Sequence, residues 1–202
     1  MMIKAVLFDF DDVIRLWPSE NDRLAEMAGC LPAGVVEQAA FLPELIYPAM
    51  IGQVTDEQWR QSIIHHLKKK YPEALVEQAV VQWSSSAGTI NQPVLDMARA
   101  CRQKAQVILI TNGTSRVPKD LRWLGIAGDF DHIVNAAEVG YAKPAPEIYE
   151  YALGLADVTP AEALFVDNSI SYIEGATKLG LHCHHFQDVS PLKQFLEAYR
   201  VL

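Results

Sequence analysis

The fold is decided at residues 5–13, where the chain reads AVLFDFDDV. A short apolar run bounded by polar residues is typical of a buried β-strand and is too short for a helix. The run ends in two carboxylates at alternate positions, Asp9 and Asp11. In an open α/β sheet, ligands bind in the crevice beyond the carboxyl ends of the strands. The stretch therefore predicts a strand that carries a candidate site at its end.

Three further segments place polar side chains at or near the end of an apolar run. Residues 107–113 read VILITNG, residues 140–144 read GYAKP and residues 163–169 read ALFVDNS. Thr111, Asn112 and Asp167 each come where a run ends. Lys143 is expected in an extended or turn conformation, because the following proline disfavours the helical region for the residue before it. Each segment thus supplies a different group suited to phosphoryl transfer.

Apolar runs alternate with amphipathic stretches from about residue 88 to the end of the chain. This alternation predicts a parallel sheet with helices on both faces. Asn91 and Pro93 are expected to begin one helix, and Ser190 with Pro191 the last one. Residues 159–162 (TPAE) have capping-box spacing, which predicts a short helical turn before the strand that ends at Asp167.

A largely helical stretch, from about residue 18 to residue 87, follows the first strand. Thr55 and Gln58 have capping-box spacing, and apolar residues recur after them at helical intervals. The predicted fold class is therefore α/β, a Rossmann-like doubly wound parallel sheet with an inserted all-helical cap. We expect residues 1–14 and 88–202 to form the core and residues 15–87 to form the cap.

In order and spacing, the four segments resemble the motifs of the haloacid dehalogenase (HAD) superfamily of Mg²⁺-dependent phosphohydrolases, whose members form an aspartyl-phosphate. The resemblance covers almost the whole chain, since residues 170–180 (ISYIEGATKLG) also look like the helix that follows the last motif. The insertion looks like the helical C1-type cap of the group that includes small sugar-phosphate phosphatases.

The residue types also suit phosphoryl transfer on chemical grounds. A carboxylate can attack a phosphoryl group and form a covalent intermediate, which is the role predicted for Asp9. Asp11 is predicted to protonate the leaving oxygen and later to deprotonate the attacking water. Charge on the phosphoryl oxygens is stabilised by positioned donors and cations. Lys143 and the Thr111 hydroxyl fit that role, with the backbone amide of Asn112 as a further donor. The resemblance assigns the same roles to the two aspartates.

A phosphate ester among carboxylates needs a hard cation, and Mg²⁺ suits one or two carboxylates plus substrate phosphate. Asp9 and Asp167 are the predicted side-chain ligands, and the resemblance adds the backbone carbonyl of Asp11. Two positions depart from the family pattern. Asp12 stands where most members have glycine, although aspartate tolerates left-handed geometry better than most residues. Asn168 stands where a second acid is frequent and contributes no charge.

Substrate contacts are expected where the insertion meets the core. Arg15 and Trp17 follow the catalytic loop and are predicted to line the pocket together with Asn112. Trp59 and Trp83 are predicted to pack between cap helices instead. We expect the cap to lie over the strand ends as a lid that excludes water and holds the leaving group. Residues 84–88 (SSSAG), small and mostly polar, form the predicted return linker.

Composition points to an ordinary soluble enzyme. A hydrophobic content of 50% in 202 residues allows a substantial core. The net charge of -8 argues against nucleic acid or an anionic membrane as a partner. The first apolar stretch is too short for a signal peptide or a membrane span, so a cytoplasmic location is expected.

Two further sequence features have simple interpretations. Cys30, Cys101 and Cys183 are widely spaced and lack a CxxC pairing, which predicts reduced thiols. Residues 182–185 (HCHH) are interpreted as a late strand instead of a zinc site, because alternate residues of a strand face opposite ways.

The predicted function is a Mg²⁺-dependent phosphomonoester hydrolase that acts on a small soluble phosphate ester through an aspartyl-phosphate. A sugar phosphate is the leading substrate. Two alternatives stay open: a phosphomutase with the same site, and a catalytically weak phosphate- or metal-binding regulatory protein, suggested by Asp12 and Asn168. A dehalogenase is disfavoured, because those relatives need no metal and lack the second aspartate, here Asp11. No oligomeric state is predicted.

Overall fold

The computed structural model describes residues 2–17 and 31–202. Its strands in chain order are β1 (Ala5–Phe8), β2 (Arg15–Leu16), β3 (Thr89–Ile90), β4 (Gln106–Thr111), β5 (His132–Asn135), β6 (Ala163–Asp167) and β7 (His182–His185). Five of them form a parallel sheet in the order β5-β4-β1-β6-β7. The chain builds one side of β1 first and then the other, which is the doubly wound topology that the sequence predicts.

The described residues contain ten α-helices. In chain order they are α1 (Val35–Ala40), α2 (Pro43–Met50), α3 (Asp56–Leu67), α4 (Glu73–Trp83), α5 (Gln92–Cys101), α6 (Val117–Trp123), α7 (Ala136–Val139), α8 (Pro146–Ala156), α9 (Ile170–Leu179) and α10 (Val189–Ala198). Short 3₁₀ turns cover Ala127–Asp129 and Pro160–Glu162. None of these helices has the length and apolar character needed to cross a membrane.

Helices cover both faces of the sheet because alternate strand residues face opposite ways. Val6 and Phe8 of β1 join a buried cluster with residues of α5, α6 and α10. Ala5 and Leu7 join a second cluster with residues of α8 and α9 on the opposite face. The near-continuous apolar character of the central strands follows from this burial on both sides.

Most of the predicted helix starts are confirmed. Helix α5 begins directly after Asn91 with a proline in its first turn, and the 3₁₀ turn at Pro160–Glu162 has the predicted capping box. The prediction for the last helix is wrong by one residue. It begins at Val189, because the Asp188 side chain accepts a hydrogen bond from the Val189 N–H and caps the helix earlier than Ser190 would.

The insertion has a hydrophobic cluster of its own. Apolar residues of α1, α2, α3 and α4 form this cluster, which is separate from the two clusters that flank the sheet. The capping box at Thr55 is present, and Trp59 and Trp83 pack edge to face with ring centroids 5.7 Å apart, as predicted. Residues 18–30 of the predicted helical stretch, including Cys30, lie outside the described residues.

The two connections of the insertion to the core run side by side. Strand β2 leaves the core and β3 returns to it, and they pair antiparallel, with Arg15 opposite Ile90 and Leu16 opposite Thr89. The entry and exit of the insertion are therefore tied together in a short two-stranded ribbon beside the end of β1.

Candidate functional site

Three of the predicted site residues lie at the carboxyl edge of neighbouring strands. Asp9 follows β1, Thr111 ends β4 and Asp167 ends β6, and all three are buried. The strand register pairs Phe8 with Leu109 and Val166, so Asp9 lies level with Asp167, and Thr111 lies one residue further along β4. Short apolar runs that begin and end in register thus bring polar groups together that are far apart in sequence.

Lys143 joins this group from the loop before α8. Its Nζ donates to Asp9 Oδ1 and to Asp167 Oδ2, each at 2.6 Å, and to the carbonyl of Ile110 at 3.2 Å. The Lys143 side chain is almost fully buried. We call Asp9, Lys143 and Asp167 the sheet-edge cluster. In it one ammonium is shared by two carboxylates.

The Lys143 loop is clamped from two sides. The Asn112 side chain donates to the Lys143 carbonyl at 2.9 Å and accepts from the Lys143 N–H at 2.7 Å. On the other side α9 packs closely against Pro144, since a Cβ at Gly175 would lie 2.8 Å from the Pro144 Cβ. The Asn112 side chain therefore holds the backbone of Lys143 in place.

Burial shapes the electrostatics of the sheet-edge cluster. Desolvation raises the pKa of Asp9 to about 7; the Lys143 ammonium opposes this rise, and the Asp167 carboxylate adds to it. Burial lowers the pKa of Lys143, but the two carboxylates outweigh burial and raise it, so the amine carries its proton. Two acids against one ammonium leave the cluster short of positive charge. A further cation nearby would favour the ionised form of Asp9.

The donor set suits Mg²⁺. Within residues 2–17 and 31–202, no three His, Cys, Asp or Glu side chains come together as a metal cluster. Asp9 and Asp167 each give one oxygen to Lys143, and Asp167 Oδ1 also accepts the Ser169 N–H at 2.8 Å. Two carboxylates are the sparse kind of protein ligand set with which Mg²⁺ keeps several waters and binds substrate phosphate.

Asp11 lies beside this cluster and is held on one oxygen. Its Oδ1 accepts from Arg15 Nε at 2.7 Å and from Trp17 Nε1 at 2.8 Å. The Arg15 guanidinium lies over the rings of Phe10 and Trp17, 4.0 and 4.3 Å from their centroids. Arg15 and Trp17, predicted as pocket residues, line a cavity and also fix the second aspartate of the motif.

The two departures from the family pattern have clear structural settings. Asp12 has a φ of 59°, so it adopts the left-handed geometry that glycine usually supplies, and its N–H donates to the Arg15 carbonyl at 2.6 Å. The feasible turn predicted for this position is present. Asn168 is exposed after β6, and its backbone carbonyl lies 2.9 Å from His185 Nε2.

A cavity of about 380 Å³ lies between the core and the insertion. Its core side includes Asp11 and Asn112, and its insertion side includes Trp17, Phe41, Trp59 and Trp83. The tryptophans predicted to pack within the insertion thus also present surface to this cavity. Aromatic side chains supply a large contact area for a small bound molecule.

Two acids at the boundary between core and insertion, Asp120 and Asp56, did not emerge as site residues from the sequence. Asp120 of α6 is buried and accepts from Arg15 Nη1 at 2.9 Å and from Arg116 Nε at 2.8 Å. We call Arg15, Arg116 and Asp120 the seam cluster. Asp56 joins the same boundary, accepting from the Thr114 hydroxyl at 2.8 Å and pairing with Arg60. Its position after Thr55 predicts only a helix start.

The chain is similar to one protein family and to several known proteins. The model of the haloacid dehalogenase-like hydrolases matches residues 3–180. Bifunctional epoxide hydrolase 2 of Sus scrofa is 24% identical over 203 residues, which cover 90% of this chain and 36% of that protein. The N-acylneuraminate-9-phosphatase of Homo sapiens is 24% identical over 140 residues, 67% of this chain and 56% of that one. The chain spans only about a third of the epoxide hydrolase relatives that it matches.

Two solved structures have the same fold. A HAD-family enzyme of Bacteroides thetaiotaomicron, crystallised with magnesium and inorganic phosphate, has a TM-score of 0.73 at 22% identity, over 94% of this chain and 98% of that one. The L-2-haloacid dehalogenase of Xanthobacter autotrophicus has a TM-score of 0.66 at 19% identity, over 98% of this chain and 88% of that one. At such identities the likeness shows the fold alone. Since the family model spans most of the chain, the chain belongs to the haloacid dehalogenase-like hydrolases.

Proposed function

We propose that this hydrolase is a Mg²⁺-dependent phosphomonoesterase that acts on a small soluble phosphate ester, with a sugar phosphate as the leading substrate. The observation that carries the proposal is the contact of Lys143 Nζ with both Asp9 and Asp167 at 2.6 Å, beside the buried Thr111. A nucleophilic carboxylate, a fixed ammonium and a hydroxyl donor then surround one small volume at the sheet edge.

In the first step, an oxygen of Asp9 forms a bond to phosphorus while the ester P–O bond breaks. Asp11 gives its proton to the leaving oxygen; Oδ2 is the oxygen that would carry this proton, because Arg15 and Trp17 both donate to Oδ1. Lys143 holds Asp9 in place and, with the Thr111 hydroxyl, stabilises the charge on the phosphoryl oxygens.

In the second step, water attacks phosphorus and the bond to Asp9 breaks, which releases phosphate. Asp11, now a carboxylate, takes the proton of that water. Mg²⁺, when held by Asp9, Asp167 and the Asp11 carbonyl, supplies positive charge next to the phosphoryl oxygens. The ionised form of Asp9 is then favoured over the protonated form that burial promotes.

Residues 15–87 form the cap in this proposal, with the core made of residues 1–14 and 88–202. The separate hydrophobic cluster of the insertion and the paired strands β2 and β3 support that division. The cavity between the two parts has room for a small leaving group next to Asp11. Aromatic side chains on its insertion side favour a leaving group with apolar surface, such as the face of a sugar ring.

The relatives support a phosphatase over a dehalogenase. One matched protein is named as an N-acylneuraminate-9-phosphatase. The dehalogenase of Xanthobacter autotrophicus shares the fold, but the anchored position of Asp11 here supplies a proton donor that ester cleavage uses. The activity of bifunctional epoxide hydrolase 2 carries no weight in this proposal, because the chain covers only 36% of that protein.

The test measures inorganic phosphate release from a panel of sugar, alkyl and aryl phosphates, with Mg²⁺ or with a chelator. We expect release that requires Mg²⁺ and disappears in Asp9→Asn. Asp96→Asn, an exposed carboxylate on α5, is the matched control and should behave as wild type. An isomerised ester without released phosphate would indicate a phosphomutase. Neither release nor isomerisation, with phosphate binding retained, would indicate a binding protein.

A further inference from the structure

We propose that Asp120 is a positioning residue for Asp11, that it acts through Arg15, and that it connects this aspartate to the return linker of the insertion. The inference rests on the proposed function, in which Asp11 is the general acid and base. It adds Asp120, a buried residue from α6 that lies outside the four motif segments, to the group that sets the geometry of proton transfer.

The first link joins Asp11 to Asp120 through one rigid side chain. Arg15 donates Nε to Asp11 at 2.7 Å and Nη1 to Asp120 at 2.9 Å. The side chains of Arg15 and Asp120 are each 5% exposed, whereas that of Asp11 is 37% exposed. The guanidinium is planar with its donors in fixed directions, so the position of Asp120 determines where Arg15 can meet Asp11.

The second link joins Asp120 to the return linker. Asp120 Oδ1 accepts from Arg116 Nε at 2.8 Å, and Arg116 donates Nη1 to the Ser84 carbonyl at 2.6 Å and Nη2 to the Ser86 carbonyl at 2.7 Å. Asp120 thus receives one guanidinium on each oxygen. One of these guanidiniums holds the general acid, and the other holds the segment by which the insertion returns to the core.

The linker also contacts Arg15 directly. Gly88 has a φ of +78°, and a Cβ at this position would lie 2.8 Å from Arg15 Cγ and 2.8 Å from the Leu16 carbonyl. A shift of the linker would therefore press on the same arginine that holds Asp11. Two independent contacts, one polar and one steric, connect the linker to the seam cluster.

Positioning matters for Asp11 because its carboxylate would otherwise turn easily. The terminal torsion of an aspartate is broad, and a general acid must lie within hydrogen-bond reach of the atom that it protonates. Both donors to Asp11 bind Oδ1, which directs Oδ2 away from them. With Trp17 as the single donor, the Asp11 carboxylate could rotate about one hydrogen bond. Arg15, held in place by Asp120, provides a second hydrogen bond that prevents this rotation.

The test compares Asp120→Asn with wild type on two esters that differ in leaving group. The alcohol of an alkyl phosphate leaves only when its oxygen receives a proton. The 4-nitrophenolate of 4-nitrophenyl phosphate leaves without one. We expect Asp120→Asn to lower the rate of alcohol release from the alkyl ester by about 10- to 100-fold, part of the contribution of general acid catalysis. In single-turnover measurements, nitrophenol release should change less than about threefold.

A double-mutant cycle separates positioning from a merely structural role. If Asp120 acts through Asp11, then Asp120→Asn in an Asp11→Asn background should change alcohol release by less than about twofold. Equal losses on both esters, or losses that multiply in the double variant, would overturn the proposal. If Asp11→Asn matches wild type on both esters, the proposed function itself fails, which is a different outcome from an inert Asp120→Asn.

Two further variants control for folding. Asp131→Asn is the matched control, because Asp131 accepts from Arg102 Nε and from the Val107 N–H, each at 2.8 Å, at the start of β4 and away from the site. It should leave both rates unchanged. Arg15→Lys keeps the charge but loses the fork that spans the two carboxylates. If Asp120→Asn does not fold, Arg15→Lys should show the same selective loss on the alkyl ester; equal losses on both esters would overturn the proposal.

Discussion

The sheet-edge cluster and the seam cluster have opposite arrangements of charge. At the sheet edge one ammonium, Lys143, lies between the carboxylates of Asp9 and Asp167. In the seam one carboxylate, Asp120, lies between the guanidiniums of Arg15 and Arg116. The first has one more negative than positive group among the described residues, and a bound cation would balance it. The second has a positive excess that the chain balances itself, with Asp11 and the linker carbonyls. The proposed metal site and the contacts that hold Asp11 in place thus have opposite charge ratios.

Removing the ammonium should have the largest effect. We expect Lys143→Met to lower the free energy of unfolding by about 3–5 kcal/mol at neutral pH, because two buried carboxylates lose their counter-ion. Urea unfolding without Mg²⁺ measures this change, and ester hydrolysis should be lost as well. Lys4→Met is the matched control: Lys4 pairs with Glu162 on the surface, and its loss should cost less than about 1 kcal/mol. Equal losses for the two lysines would contradict the contrast between buried and exposed pairs.

Metal binding should distinguish the two clusters next. At a Mg²⁺ concentration about 100 times its Kd, we expect the free energy of unfolding of the wild type to rise by about 2.7 kcal/mol. Asp167→Asn should abolish that rise, because one of two carboxylate ligands is gone. Asp120→Asn, which removes neither of these two carboxylates, should retain it. Chemical unfolding with and without Mg²⁺ measures the rise in each variant, and a rise that survives in Asp167→Asn would place the metal elsewhere.

A smaller effect is expected where the seam cluster meets the linker. Arg116→Lys keeps a positive charge near Asp120 but cannot reach the carbonyls of both Ser84 and Ser86. We expect a loss of about 1.5 kcal/mol in the free energy of unfolding, the lower end for a hydrogen bond to a charged group. Urea unfolding measures it. An unchanged midpoint would mean that water replaces these bonds without cost.

The smallest effect should come from an exposed pair at the opposite edge of the sheet. Hydrogen bonds from Lys4 and Thr159 lower the pKa of Glu162 from 4.5 to about 2. Because this pKa is depressed on folding, its stabilising contribution is present above pH 4.5 and is lost as the pH falls towards 2. Glu162→Gln should lower the unfolding midpoint slightly at neutral pH and should reduce its fall with acid. Urea midpoints measured across this range test both; identical slopes would contradict the assignment.

The two clusters also differ in what the sequence reveals of them. Asp9 and Asp167 follow apolar runs, and parallel strands end at one edge, so their meeting is predictable from strand periodicity. Asp120 is not predictable in this way. It lies four residues after Arg116 on a helix, a spacing typical of an ordinary surface ion pair. Only the docking of Arg15 and the return linker buries it, and such docking depends on tertiary contacts that periodicity does not encode.

Arg15 shows the same limit of a sequence pattern. Its place beside the catalytic loop predicts a pocket residue, and it does line the cavity. Its donors, however, face Asp11 and Asp120, which a linear pattern cannot show. The start of the last helix shows the same limit over a few residues. Asp188 and Ser190 are both suitable N-cap residues, and the backbone conformation at Asp188 decides between them.

The ribbon of β2 and β3 has a consequence for how this enzyme could be re-engineered. Because Arg15 pairs with Ile90 and Leu16 with Thr89, the two ends of the insertion stand one strand spacing apart, about 4.8 Å. The insertion therefore connects to the core as a loop does, closed at its base by the β2–β3 pair. The entropy of closing a loop rises only slowly with its length. A cassette of different length and sequence, ending in two matching strands, can therefore be spliced onto this stem while the sheet and its acids stay as they are.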